Sequence, residues 1–390
     1  MQYNLTTIIV LAVYAIIQLY MFGRVVHYTN KIFSSKFFVV LAFLIYVGLS
    51  AMPVLGLYLK DATWKHFCMK YGNIWIGVVA VMFIVIAVIH LFTEIINVDD
   101  DLPRAAALII FVIALAAGIG INVYGQIQAR DVKTTTYTVD VSEGEASDKT
   151  LRIAFISDLH LGVNSKVSQV QDVVEIINAN DVDVVIIGGD IFDGSYDGIK
   201  YPDRYIEEFN KIQSRYGVYG VYGTHDVESE TFAGILVTAQ ENSYRSDAMK
   251  AFTAEAGWTM LEDAQVKLPN GVILVGRLPN GRTGSGMAIR KSAAKVLNLV
   301  GKKDAVVVVE FEPYGISELG TEGADLVLSG QTHAGQFFPM TLVEQKLSDN
   351  WYGLKDFDGT TSIVTSGVGT MGPPVRIKTS SEVVIIDVQF

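Results

Sequence analysis

The sequence predicts a four-helix transmembrane region followed by an α/β domain, and three observations lead to this fold class. The 390 residues are 50% hydrophobic and only 18% charged, whereas an average soluble domain is about a quarter charged. Up to Gln128 the chain has seven Lys and Arg and five Asp and Glu, a net charge of +2. Because the whole chain has a net charge of −11, the remainder carries −13. Long apolar runs are confined to the first third, and short β-branched runs alternate with helical periodicity thereafter.

Four apolar runs make up most of the first third, and the short polar links between them hold nearly every charge of that region. As a helix, each run is long enough to cross a hydrocarbon core that needs about 20 residues. A buried core helix is the alternative for any single run, but four in series favour membrane spans. We therefore expect residues 1–127 to form a multi-pass region of the cell membrane with the lipid bilayer as partner. The four runs are residues 5–21, 37–59, 74–96 and 105–127.

The positive-inside rule suggests how these helices are oriented. No Lys or Arg precedes the first run, whereas Arg24, Lys31 and Lys36 follow it, which places the N-terminus outside. Four crossings then return the chain to the outside. Three lysines in the second loop oppose this orientation, so the Lys and Arg totals on the two sides almost cancel. We expect an extracytoplasmic C-terminal domain.

Residues 128–149 are polar and are predicted to form a linker that leads into a first edge strand. Beyond them, strand-like runs rich in β-branched residues alternate with helical periodicity, as at residues 167–179 and 201–216. Alternation of this kind predicts a layered α/β domain over residues 150–390. The strand-like runs are residues 151–156, 182–187, 217–222, 272–275, 305–309, 326–329, 362–365 and 382–388.

Polar, glycine-containing turns follow several of these runs and hold the unusual residues. Ligands of open α/β sheets bind at the carboxyl ends of the strands, and glycines there let the backbone approach closely. Carboxylates and imidazoles collected in such turns suit a borderline divalent metal such as Mn, Fe or Zn. The turns are Ser157-Asp158-Leu159-His160, Gly188-Gly189-Asp190, Gly223-Thr224-His225-Asp226 and Ser329-Gly330-Gln331-Thr332-His333.

The distribution of histidine strengthens this interpretation. The chain has six histidines, and three of them lie in or beside the apolar runs. The other three, His160, His225 and His333, each lie in one of the turns just described. A single histidine in a loop is more often a surface residue than a ligand, but three out of three indicate one shared site.

Other kinds of site are excluded or weakly indicated. Cys68 is the only cysteine, so the chain has no internal disulfide and no Cys-based zinc site. The net charge of −11 argues against a nucleic-acid partner. Residues 281–286 are glycine-rich but lack Walker spacing, which favours a mobile surface loop. Arg376 is interpreted either as a contact for an anionic substrate or as half of a salt bridge.

In these motifs the chain resembles the calcineurin-like metallophosphoesterases, and within them the membrane-anchored bacterial branch with N-terminal transmembrane helices. The resemblance covers residues 151–390 and implies a four-layer αββα sandwich of two mixed sheets, with a two-metal site at the strand ends. Its motifs, in the family order, are Asp158-x-His160, Gly189-Asp190, Gly223-Thr224-His225-Asp226, Gly330-Gln331-Thr332-His333 and the glycine- and proline-rich residues 367–376.

Carried over residue by residue, the resemblance implies a first metal held by Asp158, His160, Asp190 and His333. All four residues are present. The resemblance also aligns His225 with the non-ligating catalytic histidine of the family, and we expect His225 and Asp226, which follows it, to be the catalytic residues.

The family's second metal uses an Asn and two His that align with Thr224, Phe311 and Gln331, so none of the three is retained. A phenylalanine cannot coordinate a metal, and the domain has no spare histidine. We therefore expect one divalent metal, because a second would need new ligands. The carboxylates that would have to move in are Glu310, Glu312 and Asp193.

These inferences predict a membrane-anchored, metal-dependent hydrolase of phosphoester bonds. A metal-activated water would be the nucleophile, and His225 would be the acid or electrostatic partner. The substrate would be small and phosphorylated, or lipid-like. One alternative is a catalytically retired domain that keeps a structural metal and binds a ligand or partner. Another is different chemistry at a single iron.

Overall fold

A computed structural model of the chain describes residues 5–99, 101–141, 150–239, 242–281, 289–301 and 304–390. The chain divides into two compact units, one helical and one α/β. The helical unit comprises Met1–Ile127, Glu230–Ala239 and Met371–Val375, and the α/β unit holds the other segments. The loop predicted at residues 281–286 lies, beyond Gly281, outside the described residues.

Each of the four apolar runs lies in a helix that is long and apolar enough to cross a membrane. The third helix begins well before the predicted residue 74 because Asp61 caps it, accepting a hydrogen bond from Trp64 N–H at 3.0 Å. Small residues let the second and third helices approach closely, since a Cβ on Gly72 would stand 2.8 Å from Pro53 N. The helices are α1 (Leu5–Ile32), α2 (Lys36–Tyr58), α3 (Ala62–Ile95) and α4 (Arg104–Arg130).

A short hairpin from the second half of the chain packs into the helical unit. Its strands are β5 (Thr231–Phe232) and β6 (Ile235–Leu236). The buried Phe232 ring stands edge-on to Tyr14 of α1 with centroids 5.1 Å apart, and Thr7 donates a hydrogen bond to Val237 O at 3.1 Å. This hairpin had no counterpart in the sequence prediction.

Two mixed sheets of six strands form the α/β unit. The first sheet has the order β1-β14-β2-β3-β4-β7 and the second β12-β13-β11-β10-β9-β8. The strands of the first sheet are β1 (Val132–Asp140), β2 (Thr150–Ile156), β3 (Val184–Ile187), β4 (Val218–Gly220), β7 (Trp258–Met260) and β14 (Ser381–Gln389). Those of the second are β8 (Ala264–Lys267), β9 (Ile273–Gly276), β10 (Val306–Val309), β11 (Leu326–Ser329), β12 (Gly353–Phe357) and β13 (Thr360–Val364).

Three apolar cores hold these sheets in a four-layer αββα sandwich. One core lies between the sheets, where Phe155 and Ile186 of the first meet Leu274 and Val307 of the second. The outer face of the first sheet is covered by α5 (Val167–Asn178), α6 (Pro202–Phe209) and α7 (Asp247–Glu255). The outer face of the second is covered by α8 (Ala293–Val296) and α9 (Ile316–Thr321), and α10 (Met340–Leu347) follows β11. The predicted fold class is confirmed.

Details differ from the sequence prediction for identifiable reasons. All eight predicted strands are present, but the helix predicted over residues 201–216 ends at Phe209, where Asn210 is the C-cap and its backbone N–H donates to Ile206 O at 2.9 Å. Part of the predicted linker, Val132–Asp140, is the edge strand β1, which pairs in parallel with β14.

Candidate metal centre

The predicted ligands lie directly after the parallel strands, as the turns in the sequence suggested. Asp158 and His160 follow β2, Asp190 follows β3 and His333 follows β11. All four have positive φ, between 43° and 53°, a conformation that is uncommon outside glycine. Strained backbone of this kind concentrates at functional sites, where the surrounding structure stabilises it.

The structure brings these four side chains together. His160 Nε2 lies 3.0 Å from His333 Nε2 and 3.7 Å from Asp190 Oδ2, and His333 Nε2 lies 3.5 Å from Asp158 Oδ1. Two ligand atoms on one tetrahedral ion, each about 2.0–2.1 Å from it, are about 3.3 Å apart. The donor atoms therefore have the spacing of a coordination shell.

All four residues are buried, and burial shifts their titration. Burial raises the pKa of Asp158 to about 7 and lowers the pKa of His160 to about 3. It also raises the pKa of Asp190 well above its ordinary value, and the charges of Asp226 and Asp158 add to that rise. Burial lowers the pKa of His333 well below its ordinary value. Neutral imidazoles facing clustered carboxylates form a donor set that a divalent cation fits, since the cation offsets the carboxylate repulsion.

His225 lies beside this donor set, and Asp193 lies between the two. The His225 ring stands edge-on to the His160 ring with centroids 5.0 Å apart. Asp193 Oδ1 is 3.3 Å from His160 Nδ1 and 3.9 Å from His225 Nδ1. The backbone N–H of His225 donates to Asp190 Oδ1 at 2.7 Å. Asp193 thus faces the Nδ1 atoms of both rings, whereas sequence reasoning considered it only as a replacement metal ligand.

Both carboxylate oxygens of Asp226 accept hydrogen bonds from the backbone. Its Oδ1 accepts the backbone N–H of Phe192 at 2.9 Å, and its Oδ2 accepts the backbone N–H of Gly223 at 2.7 Å. These bonds tie the turn after β3 to the turn after β4. These bonds let Asp226 position both turns, and the catalytic role expected of it together with His225 stays a prediction.

The three positions aligned with second-metal ligands contact the turns around the donor set or the loop after β9. Phe311 is fully buried, and its ring packs so closely on Gly189 that a Cβ there would stand 2.7 Å from it. Gln331 donates its backbone N–H to both oxygens of Asp158 at 3.1 Å. Thr224 lies against Gly281, whose Cβ position is 3.3 Å from its methyl group.

Two carboxylates expected to move in for a second metal, Glu310 and Glu312, are engaged by other donors. Both oxygens of Glu310 accept hydrogen bonds from Arg290, at 2.8 and 2.6 Å, and Arg277 donates to one of them at 2.7 Å. The two oxygens of Glu312 accept the backbone N–H groups of Asn280 and Gly281 at 2.9 and 2.8 Å. These residues hold the loop after β9 in place.

Arg376 is fully buried beneath the turns. Its guanidinium donates to the carbonyls of Ser366 at 2.6 Å, Gly369 at 2.7 Å and Gly367 at 3.2 Å. This turn packs on Asp158, since a Cβ on Gly367 would stand 2.7 Å from Asp158 Cβ. Arg376 is thus a buried clamp on backbone carbonyls, which neither of its sequence interpretations described.

Comparison with known proteins gives this site a family context. Residues 151–334 match the family model of calcineurin-like phosphoesterases. A transmembrane protein with metallophosphoesterase domain from Danio rerio is 28% identical over 70% of this chain and 61% of its own length. An uncharacterized metallophosphoesterase of Helicobacter pylori is 30% identical over 60% of this chain and 59% of its own length. One from Campylobacter jejuni is 23% identical over 100% of this chain and 99% of its own length.

Proposed function

The chain carries a domain of the calcineurin-like phosphoesterase family, and from this premise we propose that it is a membrane-anchored hydrolase of phosphoester bonds that uses one divalent metal. The observation that carries the proposal is the spacing of Asp158, His160, Asp190 and His333, with neighbouring donor atoms 3.0 to 3.7 Å apart. The chain matches only about three fifths of the length of the first relatives compared, so activity and substrate are inferred from the site itself.

The other half of the site supports a single ion. The ring of Phe311 fills the position next to Gly189, and both oxygens of Glu310 and of Glu312 already accept hydrogen bonds from arginine or backbone donors. A second cation beside Asp190 would meet an aromatic ring and an amide side chain, Gln331, instead of two imidazoles. Mn, Fe and Zn are the candidates, because His and carboxylate ligands suit each of them.

The residues of the chain have separable roles in this reaction. A divalent cation in the donor set would lower the pKa of a water and act as a Lewis acid. Asp193 would hold the proton of His225 at Nδ1, which leaves Nε2 to donate to the leaving oxygen of the substrate. The hydrogen bond from His225 N–H to Asp190 fixes the distance of this histidine from the donor set. General acid catalysis of this type contributes typically about 10²- to 10⁴-fold.

The helical unit supports a multi-pass location in the cell membrane, with the domain on the extracytoplasmic side as the positive charges after α1 suggest. The substrate would be a small phosphorylated molecule or a lipid-like phosphoester. Labelling a single cysteine, introduced by Lys267→Cys into a Cys68→Ser background, with an impermeant maleimide on whole cells tests the sidedness. Labelling only after lysis would place the domain in the cytoplasm.

Metal content and turnover of the purified full chain test the function. We expect bis-p-nitrophenyl phosphate hydrolysis after loading with Mn, Fe or Zn, and a loss of about 10²-fold or more in His225→Ala. We expect Asp158→Asn with His333→Ala to hold one metal ion fewer per chain than the parent. If no metal supports turnover above the His225→Ala background, hydrolysis of this class is wrong and the metal is structural. A difference of two ions would refute the single-metal site.

A further inference from the structure

The helical unit holds its own group of ionisable side chains, supplied by three segments. Arg24 and His27 lie on α1, His90 and Glu94 on α3, and Asp99 in the turn after α3. Charged groups are costly to place among apolar helices, and they mark functional sites there by default. The phosphoesterase proposal uses none of these residues.

Asp99 is the centre of this group. It is only 7% exposed. Its Oδ1 accepts hydrogen bonds from Arg24 at 2.7 Å and from Thr93 at 3.0 Å. Its Oδ2 accepts one from Arg24 at 2.8 Å and faces the Nε2 atoms of His27 and His90, each 3.9 Å away. Because a carboxylate oxygen has two lone pairs, Oδ2 keeps one directed toward the imidazoles.

His90 is oriented so that Nε2 faces the carboxylates. Its Nδ1 lies 3.0 Å from the hydroxyl of Tyr20, and its Nε2 lies 3.4 Å from Glu94 Oε1. Residues four apart lie on the same face of a helix, so His90 and Glu94 present both donors to Asp99. Outer partners such as Tyr20 and Arg24 are the usual means by which proteins orient metal-ligating histidines and carboxylates.

We propose that His90, Glu94 and Asp99 bind a divalent cation of the zinc type, with His27 as the nearest fourth donor. The donor atoms of the first three lie within 4.8 Å of one another, and the distances of 3.4 and 3.9 Å are near the roughly 3.3 Å edge of a tetrahedral zinc site. Two imidazoles with two carboxylates suit zinc, manganese or cobalt.

The charges around this site are compatible with a dication. Two carboxylates and Arg24 sum to one negative charge when the imidazoles are neutral. A dication reverses that to one positive charge. The same net charge would result from protonating both histidines, so protons compete with the metal, and the test below is made at pH 7.5.

Metal analysis of the full chain in detergent tests this site separately from the phosphoesterase centre. The starting variant is Asp158→Asn with His333→Ala, loaded with zinc and dialysed against a weak chelator. We expect it to retain one zinc per chain and to lose it when His90→Ala is added. His66→Ala, on the same helix outside the group, is the matched control and should leave the zinc in place.

A second variant and a second measurement guard against loss through misfolding. Glu94→Gln changes an exposed side chain and should weaken zinc binding about tenfold or more, as loss of a ligand or its partner does. Cobalt loaded into the starting variant should give a visible absorption band that His90→Ala removes. Zinc retained equally by the starting variant and its His90→Ala derivative, or retained by neither, would overturn the proposal.

Discussion

Asp193→Asn is the substitution that most directly tests how the phosphoesterase centre works. It keeps the shape of the side chain and removes the negative charge that lies 3.9 Å from His225 Nδ1, a charge that is fully present only above pH 7 because burial raises the pKa of Asp193 to about 7. Both side chains are less than a tenth exposed. Two unit charges about 4 Å apart interact by about 4 kcal/mol at an effective dielectric constant of about 20 and by about 1 kcal/mol in bulk water.

This range sets the expected loss of activity. Since about 1.4 kcal/mol corresponds to tenfold in rate, Asp193→Asn should lower kcat by about fivefold to 10³-fold. The alkaline limb of the pH–rate profile should move to lower pH, because the protonated form of His225 loses its counter-charge. Metal content should stay unchanged, since Asp193 faces Nδ1 of His160 and not the donor set.

The assay is steady-state hydrolysis across pH with metal content measured on the same samples. Asp203→Asn, on the exposed face of α6, is the matched control and should behave as the parent. A loss of bound metal in Asp193→Asn would mean that this carboxylate is itself a ligand. An unchanged kcat and pH profile would mean that the charge does not act on His225.

Three further predictions concern stability. The metal-free protein should become less stable as pH rises from about 4 toward 7, because burial raises the pKa of Asp158, Asp190, Asp193 and Asp226, which in the folded state keep protons that unfolded carboxylates with pKa near 3.9 release. His160 and His333 act in the opposite sense, since burial lowers their pKa, but four carboxylates outweigh two imidazoles. Thermal melts with chelator measure this, and stabilisation by added zinc should grow with pH. Phe232→Ala should destabilise the protein by about 3–5 kcal/mol in detergent melts, as the loss of a buried ring does. Arg376→Met should destabilise it by about 3 kcal/mol, since it leaves buried carbonyls without donors.

Each of these has its own control. A metal-free melting temperature that rises steadily over this pH range would contradict the burial argument. Phe338→Ala, the control for Phe232→Ala, alters a phenylalanine that is 49% exposed and should change the free energy of unfolding by less than about 1 kcal/mol. If Phe232→Ala had an equally small effect, the hairpin would contribute little to stability. Arg204→Met, the control for Arg376→Met, changes an exposed arginine and should leave stability nearly unchanged. If Arg376→Met were as stable as Arg204→Met, the proposed role of Arg376 in holding the backbone carbonyls would be wrong.

Sequence reasoning identified the strands that bury both faces, because such strands are continuous β-branched runs. The four valines of β10 and the apolar residues of β3 are examples, fully buried in the structure. The edge strands were not located correctly, since one side of them is open and their residues are mixed; the strand expected at the edge, residues 151–156, is β2 inside the first sheet. Lys355 and Asp356 in β12 are exposed, and nothing in that pattern separates the strand from a loop.

Sequence reasoning could identify site residues that stand directly after strands. It could not identify residues whose proximity to the site depends on the direction of their side chains. His160, His225 and His333 were grouped correctly because a rigid strand fixes each turn. The role of Asp193 could not be derived from the sequence, because its position three residues after Asp190 matches no motif. The role becomes visible only when the positions of the histidine rings are known. The spacing of His90 and Glu94 on one helix face was a signal that sequence reasoning did not use.

The hairpin of β5 and β6 also has a consequence for biosynthesis. The bonds of Thr7 to Val237 and of Lys65 to Glu230 join residues separated by 230 and 165 positions. At a synthesis rate of about 5–20 residues per second, the helices are complete some 5 to 20 s before the hairpin emerges. During this interval the apolar surface around Tyr14 and Leu57 is not yet covered by the hairpin. The helical unit is therefore completed only after the chain has been synthesised beyond residue 236.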